Sequence, residues 1–246
     1  MKIDTVILSS NDNPNYIQFW PIVSEAWSLM GVEPILIYTG EKKLKLKGNV
    51  INYFSKNMDS SFVAQNIRIL YPSLLDGSTC LVSDIDNLPL SKKYFVNSVL
   101  DINDDSFIIY RPDACPPNMI SMMWNAASSS TWKEIFSIDS ENNLEKYLRK
   151  WYTKKYTIEG TAWYTDQIKL RKYVNKFSKK NKSRIVELDD AEMGFFRFNR
   201  NRLEKHFNMI QENPNLEFTD FHMPRPFNDY EKLINKVFEY HRKHIT

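Results

Sequence analysis

Apolar residues early in the chain fall into short runs separated by polar, turn-forming stretches. "DTVILSS" (Asp4–Ser10) is a β-branched run ending in polar residues, the pattern of a strand buried on both faces. "EPILIYTG" (Glu33–Gly40), "NVINYF" (Asn49–Phe54) and "STCLVSD" (Ser78–Asp84) repeat it. Between them the period changes to that of a helix. Tyr16, Trp20, Val23, Trp27 and Met30 fall three and four apart, and Gly31 is placed to end that helix. Asp59 or Ser60 caps a second helix, with Val63, Ile67, Leu70 and Leu74 on its buried stripe. Ser61, Gln65 and Arg68 share a different face of it. Strands alternating with helices predict an α/β fold with a mostly parallel sheet flanked by helices.

The second half is less regular. "SFIIYR", "MISMMWNAASS", "RIVELDD" and "GFFRFNR" read as strands. "ENNLEKYLRKWYTKKY", "DQIKLRKYVNKF" and "DYEKLINKVFEYHRK" read as helices. No repeat or low-complexity linker divides the 246 residues, so a single domain is expected. Residues 1–90 form its regular half and residues 91–246 an irregular C-terminal half.

Composition mainly excludes. With 42% hydrophobic and 26% charged residues the chain is ordinary for a globular protein. Six glycines and no GxGxxG or GxxxxGK[ST] pattern argue against a glycine-rich phosphate loop. A net charge of +3 does not point to nucleic acid, and the basic stretch Lys176–Arg184 reads as a solvated loop. The two cysteines, Cys80 and Cys115, form no CxxC and suit a reducing compartment. No leader or membrane-spanning pattern is present, so a cytoplasmic location with no transmembrane segment is expected.

The candidate chemistry sits in "TCLVSDIDNLPL" (Thr79–Leu90). An apolar strand ends in Asp84 and Asp86, two like charges one residue apart. In open α/β sheets ligands bind beyond the carboxyl ends of the strands. On an extended segment the two side chains point the same way, so their carboxylates converge. A hard divalent ion such as Mn²⁺ or Mg²⁺ relieves the repulsion. An Asp-x-Asp also arises by chance about once in such a chain, and a solvated strand–turn junction is the alternative.

The order "NIRILYPSLL…STCLVSDIDNLPL" resembles the nucleotide-sugar glycosyltransferases of the GT-A fold, a Rossmann-like architecture. In them a helix bearing a basic residue precedes a strand ending in Asp-x-Asp, which holds a divalent cation on the donor diphosphate. "GTAWYTDQIKL" (Gly160–Leu170) is similar to their acceptor-lining segment. The resemblance makes Asp166 an acceptor-side carboxylate that takes or positions a hydroxyl proton, with Trp163 and Gln167 beside the acceptor. A helix-start aspartate favoured by the macrodipole is the other reading of Asp166. "FTDFHMPRPF" (Phe218–Phe227) resembles a divergent form of the family's C-terminal His-x-x-x-Lys-Pro loop, with Met223 and Pro224 where glycine is usual. It implies His222 as a third metal ligand and Arg225 on the diphosphate. By the same resemblance Ser9, Ser10 and Asn11 bind the nucleoside, and Gln65 and Arg68 approach the donor.

The implied activity is metal-dependent transfer of a sugar from a nucleoside-diphosphate sugar, UDP-sugar favoured, to a hydroxyl acceptor such as a glycan. A metal-binding His222 leans toward retention; Asp166 as a true base favours inversion. Two other readings stand beside it. A haloacid-dehalogenase-type phosphatase also places Asp-x-Asp after an apolar strand, and "LDDAE" (Leu188–Glu192) could serve as its later acidic motif. A relative that binds nucleotide sugars without turnover is the third.

Overall fold

The computed structural model describes residues 1–213 and 215–246. In chain order the first elements are β1 (Thr5–Ser10), α1 (Pro14–Ile17), α2 (Trp20–Leu29), β2 (Glu33–Tyr38), β3 (Asn49–Asn52), α3 (Ser60–Leu70) and β4 (Thr79–Val82). Then come β5 (Asn87–Pro89), α4 (Lys92–Phe95), β6 (Phe107–Tyr110), β7 (Asn125–Ser128), α5 (Ser129–Phe136), α6 (Glu141–Trp151) and α7 (Thr165–Ser178). The last are β8 (Ile185–Leu188), β9 (Phe196–Asn199), α8 (Leu203–Glu212), β10 (Phe218–His222) and α9 (Phe227–Ile245).

The described residues form a seven-stranded sheet of order β3-β2-β1-β4-β7-β6-β8. Within that sheet, among the described residues, only β7 runs antiparallel, to its neighbours β4 and β6. A smaller sheet of order β5-β10-β9 lies beside it. Its β5 and β10 pair antiparallel, Leu88 opposite Phe221 and Asn87 opposite His222.

The strands alternate between two cores, as the two-residue period of a strand requires. Val6 and Leu8 of β1 and Leu81 of β4 face one layer with Trp20, Trp27 and Phe238. Ile7, Cys80 and Val82 face the other with Phe62, Trp132 and Leu148. Helices therefore cover both faces, and the apolar runs of β1 and β4 are continuous because neither face meets water.

Asp59 caps α3, its Oδ1 accepting from the N–H groups of Ser61 at 2.8 Å and Phe62 at 3.4 Å. Gly31 ends α2 at φ +81°, a conformation other residues rarely adopt.

Four local readings are corrected. The helix expected through Tyr16 breaks between Ile17 and Trp20, where Pro21 starts a new first turn. The strand expected over "MISMMWNAASS" is confined to Asn125–Ser128, because the Ser128 side chain caps α5 through the Thr131 N–H. "FTDFH" is strand β10 rather than part of a loop. The basic stretch expected as a loop begins as the last turn of α7, and Arg184 pairs with Glu134 at 2.8 Å.

Candidate functional site

Strand order reverses direction between β1 and β4, so the crevice beyond their carboxyl ends is a topological switch point. A cavity of about 500 Å³ opens there. Ser9, Ser10 and Asn11 enter it from the end of β1, and Gln65 and Arg68 from α3. Asp84 and Asp86 come from the turn after β4, Trp163, Asp166 and Gln167 from the start of α7, and His222 and Arg225 from the end of β10. All twelve residues singled out in the sequence thus line one cavity.

Convergence of the two aspartates has a different cause from the one expected. The strand stops at Val82, and Asp84–Asn87 is a turn closed by the Asn87 N–H donating to the Asp84 carbonyl at 3.3 Å. Ile85 is buried at the centre of that turn and anchors it. Asp84 and Asp86 then face the cavity with different counter-charges. Asp84 Oδ1 accepts from Arg68 Nη1, while Asp86 Oδ2 lies 3.4 Å from both Arg200 Nη1 and His222 Nε2.

Arg68 is not the surface arginine its helix position allowed. It is 7% exposed and bridges Asp84 to Asp166, whose Oδ2 accepts from Nη2 at 2.9 Å. Burial opposes its charge, and the two carboxylates overcome that and hold it protonated. Asp166 is buried, its other oxygen accepting from the Gln167 N–H at 2.8 Å. Burial raises its carboxyl above the usual range, with Arg68 offsetting part and the Asp84 charge adding to it. Burial also pushes the Asp86 carboxyl up, but the hydrogen bond and charge of His222, then Arg200 and Arg225, take it below the usual range. Asp86 is therefore the firmly ionised carboxylate of the site, and Asp166 the one closer to taking a proton.

The remaining polar side chains are set in the same way. Asn11 Nδ2 donates to the Ser60 and Ser61 hydroxyls at 3.0 Å each, tying the end of β1 to the start of α3. Ser9 Oγ donates to the Ala64 carbonyl, and Ser10 Oγ to the Asn11 carbonyl at 3.0 Å. The Tyr156 hydroxyl donates to Gln65 Oε1 at 2.9 Å, and its ring stacks on Trp163.

Three functional candidates escaped the sequence reading: Tyr16, Glu159 and Arg200. Arg225 lies over the Tyr16 ring, bonds its hydroxyl, and reaches Glu159 at 3.5 Å. Burial raises the Tyr16 phenol, an effect Arg225 moderates. Arg200 is the last residue of "GFFRFNR", read as strand, but lies just past the end of β9, and only its contact with Asp86 reveals it.

Among the described residues the lining carries four carboxylates (Asp84, Asp86, Asp166, Glu159) and three guanidiniums (Arg68, Arg200, Arg225). A diphosphate entering alone would add negative charge to a cavity already short of positive charge; a divalent cation entering with it restores the balance. The donors suit such an ion, since two carboxylates and an imidazole are ligands for Mn²⁺ or Mg²⁺. Asp86 and His222 already share one spot. Among the described residues no three such side chains stand close enough together to hold an ion; Asp84 is paired with Arg68, and Asp86 with Arg200.

In three dimensions the chain is similar to an active-site mutant of the galactosyltransferase LgtC, with a TM-score of 0.51 over 94% of this chain and 95% of that one. This is a GT-A fold. At 10% identity the likeness to LgtC is one of fold. A glycosyltransferase involved in glycosylation of the major capsid of PBCV-1 is similar at 13% identity and TM-score 0.48, covering 94% of this chain and 99% of that one. GlyE of Streptococcus pneumoniae TIGR4 is similar at 12% identity and TM-score 0.49, over all of this chain and 62% of that one. No protein-family model matches the chain, and no curated protein matches it in sequence. Among the described residues no helix is long and apolar enough to cross a membrane.

The phosphatase reading loses its support in this GT-A fold. Asp190 of "LDDAE" accepts from Tyr94 and from Arg111 Nε at 2.5 Å, tying the end of β8 to α4 and to the end of β6, and is not in the cavity lining.

Proposed function

We propose that the protein is a glycosyltransferase that moves a sugar from a nucleoside-diphosphate sugar to a hydroxyl acceptor, with a divalent cation held by Asp84, Asp86 and His222. The observation that carries this reading is the meeting of Asp84, Asp86, His222, Arg225 and Arg68 around one cavity at the switch point. When bound, the cation supplies Lewis-acid stabilisation of the departing diphosphate.

The chain's own groups have distinct tasks. Ser9, Ser10 and Asn11 present polar atoms at the end of β1, where the nucleoside of a UDP-sugar is recognised. Arg225 is planar and charged, and exchanges Tyr16 and Glu159 for phosphate oxygens. Arg68 fixes Asp84 and Asp166 in one frame, so the donor end and the acceptor end of the cavity keep a set distance. Trp163, backed by Tyr156, offers its ring to the acceptor, and Gln167 its amide. The bond that breaks joins the anomeric carbon to the β-phosphate oxygen; the bond that forms joins that carbon to the acceptor oxygen, and the acceptor's hydroxyl proton leaves on the departing diphosphate. Asp166 has both oxygens engaged and acts as a positioning residue, so retention is favoured over a base-driven inversion.

Calorimetric titration of UDP, GDP and dTDP, each with and without Mn²⁺, tests this reading. Tight binding of one nucleotide that needs Mn²⁺ and Asp86 is expected. Binding unaffected by Mn²⁺ and by an Asp84→Ala/Asp86→Ala exchange would sink the metal assignment. Binding without any sugar transfer would favour the non-catalytic relative.

A further inference from the structure

The contact between Asp86 and Arg200 is unlike the other ion pairs of the site. Arg200 comes from outside the seven-stranded sheet, in the turn that follows β9. That turn is fixed: the Asn199 side chain accepts from the Asn201 N–H at 3.0 Å, and the Asn199 N–H donates to His206 Nδ1 at 3.0 Å. The Arg200 side chain then reaches 2.9 Å from the Met223 carbonyl and 3.4 Å from Asp86 Oδ2. His222 Nε2 lies 3.4 Å from that same oxygen. The Met223 N–H donates to the Asp86 carbonyl at 3.0 Å, so both backbones are locked in this register.

Two features separate this pair from a structural salt bridge. Arg200 is anchored at its tip by a neutral carbonyl, with the carboxylate at the outer limit of a hydrogen bond, so the guanidinium can leave Asp86 and keep the stronger contact. Both Arg200 and Arg68 line the cavity, but the Arg200 side chain is 22% exposed against 8% for Arg68. A guanidinium next to a carboxylate offsets its charge as a metal ion would, without filling the metal's coordination.

We propose that Arg200 is a resident counter-ion for Asp86, which the divalent cation must displace before Asp86 and His222 can ligate it together. The inference rests on the metal reading above. It implies that the protein alone binds the cation weakly, and that Arg200 keeps Asp86 in place until donor and cation arrive. Arg200 is then a positioning residue, acting through Asp86 on the cation.

The test measures Mn²⁺ binding without nucleotide, by the electron paramagnetic resonance signal of free Mn²⁺. Wild type, Arg200→Met, Arg200→Lys, Asp86→Asn and Arg200→Met/Asp86→Asn are compared, each checked for folding by circular dichroism. Arg200→Met should bind Mn²⁺ about fivefold or more tightly than wild type, about 1 kcal/mol. Arg200→Lys keeps a cation there and should stay near wild type, and the gain should vanish in the Asp86→Asn background. Equal or weaker Mn²⁺ binding in Arg200→Met overturns the proposal, as does a gain that persists without Asp86. If wild type and Arg200→Met both fail to bind Mn²⁺ even with UDP present, the metal reading itself is overturned, and this inference with it.

Discussion

Replacing Arg68 by methionine removes the guanidinium that Asp84 and Asp166 share and leaves a stem of similar shape in its place. Asp166 is 1% exposed and loses a charged donor at 2.9 Å. At an effective dielectric of about 20, two unit charges about 4 Å apart attract by about 4 kcal/mol. Breaking a buried pair from one side costs about 3–5 kcal/mol for the same reason. Asp84 contributes less, because its side chain is 29% exposed and water screens it. Burial already raises the Asp166 carboxyl, so without Arg68 it takes up a proton at moderate cost, which limits the loss to about 3 kcal/mol at pH 7. A folded-state value raised further favours the protonated folded form, so the penalty is small in acid and grows as pH rises through that value. Urea unfolding of Arg68→Met, Asp166→Asn and the double variant, at several pH values, reads this directly. The double variant should recover most of the loss, since no buried charge is left unpaired. A loss under about 1 kcal/mol, or the same loss with Asn at position 166, would refute the shared-cation account.

Other perturbations have clear signs. The folded Asp86 value lies below the ordinary carboxylate range, so its contribution to stability is present above about pH 4 and is lost as pH falls through the lower folded value. The stability difference between wild type and Asp86→Asn, followed by urea unfolding, should therefore shrink in acid. Arg225→Ala should weaken UDP affinity roughly tenfold or more in calorimetry, as loss of a charged hydrogen-bond donor does. Trp163→Ala should raise the acceptor KM with little change in donor affinity, measured by initial rates at saturating donor. Trp132 is fully buried and stacks on Phe136. Trp132→Ala should cost about 3–5 kcal/mol in urea unfolding without altering UDP binding.

The parts of the fold that could be read from the chain are those whose signal is local. β1, β2 and β4 are apolar runs between turn residues, and α3 shows both a capping aspartate and a helical stripe. β5 has three residues, too few to carry a period, and its pairing partner β10 lies far along the chain. α8 is hidden in "NRLEKHFNMIQE", where charged residues blur the buried stripe of His206 and Ile210. The Asp-x-Asp motif could be found because a strand signal precedes it, yet the turn that aims it depends on Ile85 packing into the core. Arg200, Glu159 and Tyr16 belong to the cavity through contacts between segments distant in sequence, which no spacing encodes.

UDP release from UDP-sugars, followed by NMR with Mn²⁺ or with a chelator, tests the proposed metal-dependent sugar transfer at Asp86. Release from at least one UDP-sugar is expected, requiring Mn²⁺ and falling by about 100-fold or more in Asp86→Asn, as for loss of about 3 kcal/mol of transition-state stabilisation. Release that persists in chelator, or that is unchanged in Asp86→Asn, would contradict it.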